Sequence, residues 1–451
     1  MPGLIGENRF REVATAALEL PGVDDAEVLV LHEWGGLTRF ANSEIHQSTS
    51  REDTALRVRV AMSGRVGVAQ ANDFSPEGSV AAARSAKEMA DVVAPDPLWP
   101  GLAEPTSISS LGRFDEDTAQ ASPEVRAEAV AGLIGQVPHG FIAAGAYETQ
   151  AMEIGVATST GQVCWGSMTQ ASITTVVTGD DQASGFAERF AGAAGEIDAV
   201  QIGATAARKA VDSRSPQALE PGAYPVVLEP NAVATLVGFL AWIGFGGRDY
   251  IEGRSCFSGR AGEKIADDSI SIWDDASGAG MLGVGFDFEG EQRRRVDLIR
   301  DGVFVDAVYD RRTAKQAERE DGSTGHGLPS PNPQGPFPLH LFMGSGDASV
   351  EDMIAATDRG LLVTRFHYAN VVNPMESSIT GMTRDGTFLI ENGEVVGPVR
   401  NFRFTQSILG ALSAVSMIGG ETELASEFFF SASRVPALKI ESFNFSGASD
   451  H

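Results

Sequence analysis

Cysteine is nearly absent: Cys164 and Cys256 are the two in 451 residues, too few for a disulfide framework or a Cys-rich zinc module, and a count that suits a reducing compartment. Positive charge is also short. Against 61 Asp+Glu stand 34 Lys+Arg, a formal net charge of -27, which argues against nucleic acid and against an anionic membrane surface as partners. No segment approaches the ~18 consecutive apolar residues of a membrane span. The opening MPGLIGENRFREV has neither the basic start nor the apolar run of a signal peptide, so the cytoplasm is the expected location. Histidine is sparse: of His32, His46, His139, His326, His340, His367 and His451, no two stand at i and i+4.

What is present is ordinary globular material, 43% hydrophobic and 21% charged, long enough for more than one core. The 51 glycines recur between short β-branched runs as turns recur between strands. A first helix is expected over Arg9 to Leu20, where Val13, Ala16, Ala17 and Leu20 share a face. Leu56, Val58 and Val60 alternate with Arg57 and Arg59, and after Ser63-Gly64 the run continues at Val66, predicting a hairpin with one wet face. A helix over Ser79 to Val93 and a proline-rich loop from Pro95 to Pro105 follow. Ser122-Pro123-Glu124 supplies an N-cap, an N1 proline and a first-turn acid for another helix. Phe141 to Thr178 predicts short strands broken at Ser159-Thr-Gly161, and Ile197 to Val211 a helix.

The polar stretch SRSPQALEPG, residues 213–222, is the expected domain boundary, giving domains 1–218 and 219–451. The second opens with a strand, Tyr224 to Glu229. Asn231 is then the expected N-cap of a helix, Ala232 to about Ile243, apolar on every side and hence buried. A proline-glycine loop from Asp321 to Pro338 is too long to be idle in a compact domain and is expected to be functional or partner-facing.

Local chemistry is thin. His32-Glu33 begins like H-E-x-x-H, but position 36 is glycine, and a strand there sends the two side chains to opposite faces. Neither cysteine has a charged sequence neighbourhood, so both read as small core hydrophobes. Gly244 to Gly247 ends a helix, whereas a phosphate cradle precedes one. Arg365, His367, Tyr368 and Asn370, with Arg384 beyond, could line a groove that holds an extended peptide by its backbone; solvated strand ends around a satisfied core histidine fit as well.

In order along the chain, Leu37-Thr-Arg-Phe-Ala-Asn42, Cys256-Phe-Ser-Gly-Arg260, Asp310-Arg-Arg-Thr-Ala-Lys-Gln316, Ser323-Thr-Gly-His326, Thr364-Arg-Phe-His-Tyr-Ala-Asn370, Gly381-Met-Thr-Arg-Asp-Gly-Thr387 and Pro398-Val-Arg-Asn401 resemble the TldD/PmbA family of modulator-of-gyrase, zinc-dependent peptidases. Catalytic, TldD-type members carry H-E-x-x-x-H on a helix early in the second domain and a cysteine ligand near the C-terminus. Here the matching helix puts Gly238 and Ile243 at the histidine positions and Phe239 at the glutamate. No histidine lies between Leu219 and Asp321, and residues 421–440 hold neither cysteine nor histidine.

The resemblance therefore implies the non-catalytic TldE/PmbA branch: a pseudo-protease subunit that binds no metal itself. A TldD-like catalytic subunit would hold the zinc in a heterodimer, and the pair would form a channel for linear or unfolded peptides. Arg365, His367, Tyr368, Asn370 and Arg384 are the channel candidates. The expected fold class is α+β, an N-terminal mixed α/β domain followed by a β-rich, barrel-like C-terminal domain carrying the buried apolar helix. The alternative is a metal-free, homodimeric peptide or carrier-protein binding module, a homodimer being open to the isolated chain. A hydrolase with relocated residues, His326 or His32-Glu33, is the third reading.

Overall fold

The computed structural model describes residues 3–109, 112–425 and 432–448; His451 and residues 426–431 of the C-terminal stretch discussed above lie outside them. Its first unit is a six-stranded, wholly antiparallel sheet in the order Arg65–Ala71, Glu44–Met62, Asp25–Ala41, Ile142–Thr158, Val163–Thr178, Ser184–Ala191. The residues expected to form short strands from Phe141 onward instead make two long ones, of 17 and 16 residues. The Ser159–Gly161 turn joins them where expected. The Ser63-Gly64 hairpin turn is present too, with both residues at positive φ, 50° and 76°, the geometry of a two-residue turn between twisted strands.

Even-numbered residues of Asp25–Ala41 face the helices and odd-numbered ones face away. Val28 and Val30 thus join the core under helices Glu7–Leu18 and Pro76–Val92, while Phe40 packs beneath Pro123–Ile134 and Ala199–Asp212. The Ser122 hydroxyl accepts from Val125 N at the first helical turn, with Pro123 at the first position, as the sequence predicts. The helices press close: a Cβ on Gly67 would sit 1.9 Å from the Ala86 carbonyl oxygen.

Part of the opposite face of the sheet is covered as well. Leu29, Met152, Ile154 and Cys164 pack on Val284 and Phe286 of the second unit. The expected wet face of the Leu56–Val60 strand is corrected accordingly. Arg59 is only 7% exposed and is ion-paired to Glu27 and Glu289. Alternation of arginine with valine marks two faces, and here both are covered.

Strands Gly222–Leu228, Arg359–Asn373, Ser378–Glu391, Phe402–Ser407 and Ala432–Ala448 form a closed ring, because the last pairs with the first. Beyond the ring, His340–Met343 pairs with Ala432–Ala448 and carries the sheet on to Ile272–Asp274, Val296–Arg300 and Val303–Phe304. The chain is thus α+β, with a β-rich, barrel-like second half. Helix Pro230–Gly244 is buried from Ala232 to Gly244 except at Trp242 and shares one core with the ring. Its N-cap is Glu229, not the expected Asn231, and Pro230 occupies the first helical position. The Glu229 carboxylate makes no cap; it pairs with Lys209 on helix Ala199–Asp212. Among the described residues no helix is long and apolar enough to cross a membrane.

Candidate functional site

The helix at the heart of the second unit offers hydrocarbon where a metal site would need donors. Phe239 and Ile243 are 3% and 7% exposed, Gly238 has no side chain, and the Phe239 ring lies tilted against Trp242 with centroids 6.1 Å apart. Zinc requires imidazole, thiolate or carboxylate at about 2.0–2.3 Å, so these three residues do not fit the ion. The helix end is sealed: Ser255 Oγ donates to the Gly244 carbonyl at 2.7 Å, and a Cβ on Gly244 would lie 2.6 Å from the Phe257 ring. Among the described residues no group of three His, Cys, Asp or Glu side chains could hold a metal ion.

The residues singled out on the hairpin Arg359–Asn373/Ser378–Glu391 separate into two sets. Arg365 and Arg384 are direct cross-strand partners. Arg365 Nε donates to Asp385 Oδ2 at 2.8 Å, and its guanidinium lies 4.1 Å from the centroid of the Phe186 ring in the first unit. His367 sits beside them, its pKa lowered by burial and by Arg365 and Arg384. Tyr368 and Asn370 lie further out, where the strand register shifts. Tyr368 is in the left-handed region at φ 52° and 74% exposed, and Asn370 Nδ2 donates to its carbonyl at 3.2 Å. In the first set a buried carboxylate holds Arg365 and lies 4.0 Å from Arg384 Nε; the second is presented to solvent.

Sequence reasoning singled out His326 but missed the buried polar cluster around it. Asp274 Oδ1 is 2.8 Å from His326 Nε2, and His326 Nδ1 is 2.9 Å from Thr324 Oγ1. The His340 backbone N–H donates to Asp274 Oδ2 at 2.7 Å. Burial works against its charge, yet His326 and His340 hold the Asp274 carboxyl well below the usual carboxylate range. Thr324, His326 and Asp274 imitate a nucleophile, base and acid, but His326 and Asp274 are 0% exposed and Thr324 3%. The Thr324 hydroxyl is also spent on Tyr309, donating to its carbonyl and accepting from its N–H. His326 is therefore closed to substrate. His32 is 2% exposed and held by Thr54 Oγ1 at 2.8 Å, while Glu33 points to the other face and accepts from Gln150. Burial pushes both cysteine thiols up to about 12.

Between the two units lies a cavity of about 610 Å³, walled by the odd face of the first sheet, by residues 282–288, by Trp242 and by the long proline-rich loop.

Comparison with known proteins places this architecture. The family model described as PmbA/TldA metallopeptidase C-terminal domain matches residues 221–447, and that described as PmbA/TldA metallopeptidase domain 1 matches 26–90. The chain is similar to metalloprotease PmbA of Escherichia coli O157:H7, 25% identical over 450 residues and covering 96% of each chain. It is also similar to a metalloprotease TldD homolog of Haemophilus influenzae, 26% identical over 233 residues, 51% of this chain and 48% of that protein; the chain thus spans about half the length of that relative. In fold it is similar to TldE from Thermococcus kodakarensis, with TM-score 0.87, 23% identity and coverage of 97% and 100%. A putative modulator of a DNA gyrase from Thermotoga maritima superposes with TM-score 0.83, 17% identity and coverage of 93% and 95%.

Proposed function

This chain belongs to the PmbA/TldD metallopeptidase family, and from that premise we propose that it is the non-catalytic, TldE-type subunit of a zinc peptidase whose metal is held by a TldD-like partner. One observation carries the reading: the positions that would bind and use zinc, Gly238, Phe239 and Ile243, are glycine and buried hydrocarbon within a continuous core. A catalytic zinc needs three protein ligands and a base beside its water, and no combination of these side chains supplies them. The full-length similarity to a PmbA protein and the shared fold with a TldE support the same branch.

In this role the chain contributes shape. The heterodimer would enclose a channel that admits linear or unfolded peptides, held largely through their backbones, and the exposed end of the hairpin at Tyr368 and Asn370 is the surface we assign to that channel or its rim. Arg365 and Arg384 would brace it from behind through Asp385, with His367 beside them. We place the assembly in the cytoplasm and the domain boundary at residue 218.

The purified chain, assayed on an unstructured peptide with zinc and then with a chelator, is expected to show no chelator-sensitive cleavage. Adding a TldD-like partner is expected to give cleavage that the chelator abolishes. Chelator-sensitive cleavage by this chain alone would overturn the assignment.

A further inference from the structure

The cavity between the units has the size and lining of a ligand pocket. Its volume, about 610 Å³, lies within the range of about 300–1,000 Å³ typical of ligand pockets, whereas packed interiors leave few voids larger than a water. Its walls are apolar: Leu31, Met152 and Met168 from the sheet, Phe286 and Phe288 opposite them, and Trp242 at the end of the buried helix. Trp242 is 53% exposed on a helix otherwise buried from Ala232 to Gly244. The two methionines are unbranched and adapt to the shape of what they meet.

The charged side chains at the walls are engaged. Arg254 pairs with Asp249 at 2.6 Å and Arg51 with Glu33 at 3.0 Å, and Arg293 donates to the Phe286 and Gly325 carbonyls at 3.0 and 3.3 Å. One buried side-chain polar atom at the wall is left over: His340 lines the cavity, is 4% exposed, and its Nδ1 has no hydrogen-bond partner among the described residues. A single free polar atom cannot satisfy the amides of a peptide main chain, each of which is costly to bury unpaired. A ligand's backbone must stay at the mouth while a side chain enters. The loop side of the wall is fixed in advance. Asn332 Nδ2 donates to the Gly335 carbonyl at 2.7 Å, its Oδ1 accepts from Gln334 N at 3.0 Å, and Arg248 holds the Pro333 carbonyl; such preorganisation lowers the cost of binding.

We propose that this cavity is a specificity pocket for a large aromatic side chain of a bound linear peptide, with Trp242 and Met168 as its selecting walls. The proposal rests on the peptide-channel reading and adds a side-chain preference to it.

Calorimetric titration of the full chain with acetyl-Gly-Gly-Phe-Gly-Gly-amide, and with the same peptide carrying Asp or Gly at the centre, tests it. The Phe peptide is expected to bind at least tenfold more tightly than the other two. Met168→Trp, which fills the cavity, and Trp242→Ala, which strips its wall, are each expected to weaken the Phe peptide at least fivefold; Val92→Ala, on a distant exposed helix position, leaves it unchanged. Should Met168→Trp fail to fold, Trp242→Ala decides alone. Equal affinity for all three peptides, or a Phe preference that survives both variants, overturns the pocket. The two readings part cleanly. Equal affinities together with peptide cleavage by the assembled complex would remove the pocket and keep the channel. A Phe preference in a chain whose complex admits no peptide would keep the pocket and remove the channel.

Discussion

Arg59 Nη1 donates across the boundary between the two halves of the molecule to Glu289 Oε1, 3.2 Å away, while its Nη2 holds Glu27 on the neighbouring strand. All three side chains are less than 9% exposed. Burial raises the Glu27 carboxyl even with the guanidinium beside it. Removing the cation leaves two buried carboxylates facing each other. Arg59→Met is expected to destabilise the protein by roughly 3–5 kcal/mol, read as a shift in the denaturant midpoint. A change below about 0.5 kcal/mol would show that the triad does not join the halves.

The hairpin residues predict opposite outcomes for neighbours in sequence. Arg365→Ala strands the Asp385 carboxylate, 3% exposed, and is expected to cost on the order of 2–4 kcal/mol. Tyr368→Ala removes a side chain 74% exposed and is expected to move stability by no more than about 0.5 kcal/mol while weakening peptide capture by the complex. Thermal melts and cleavage assays on the two variants separate bracing from contact.

Acid should act through His340. Burial and the nearby Arg293 push its ring down to about 3, whereas an unfolded histidine titrates near ~6.5. The neutral ring's contribution is therefore complete above that value and is lost as pH falls from there toward 3, at up to about 1.4 kcal/mol per pH unit for the one proton taken up. Denaturant midpoints measured at pH 7.5, 5.5 and 4.5 are expected to fall in that order. His340→Gln is expected to flatten the slope by close to one proton.

Cys164 and Cys256, with thiols pushed up to about 12, hold only about one thiolate in ten thousand at pH 8. Iodoacetamide is expected to leave both unmodified in the native protein and to label both in denaturant. Rapid native labelling at either position would contradict its burial.

Local signals carried the elements they could specify. The Ser63-Gly64 turn and the Ser122-Pro123 helix start were legible because a φ requirement and a capping hydroxyl act within three or four residues. The burial of helix Pro230–Gly244 followed from having no polar face. Glu229 displaced Asn231 as the cap because Pro230 already fits the first helical position. The strands Ile142–Thr158 and Val163–Thr178 are longer than the expected short ones and run unbroken through Gly155 and Gly166, where a Cβ would meet Trp165 at 2.7 Å and Val284 at 2.7 Å respectively. Small residues are needed where partners crowd in. Arg59 and the Asp274–His326–His340 cluster were illegible for a different reason: their partners lie far off in sequence, and a period of two gives a residue's face but not what covers it.

The ring of strands in the second half is completed only when Ala432–Ala448 meets Gly222–Leu228. During synthesis, the strand that begins the unit must therefore wait with an unfilled edge until a strand about two hundred residues further on has left the ribosome. A nascent chain halted short of residue 432 presents that edge to its neighbours and invites aggregation.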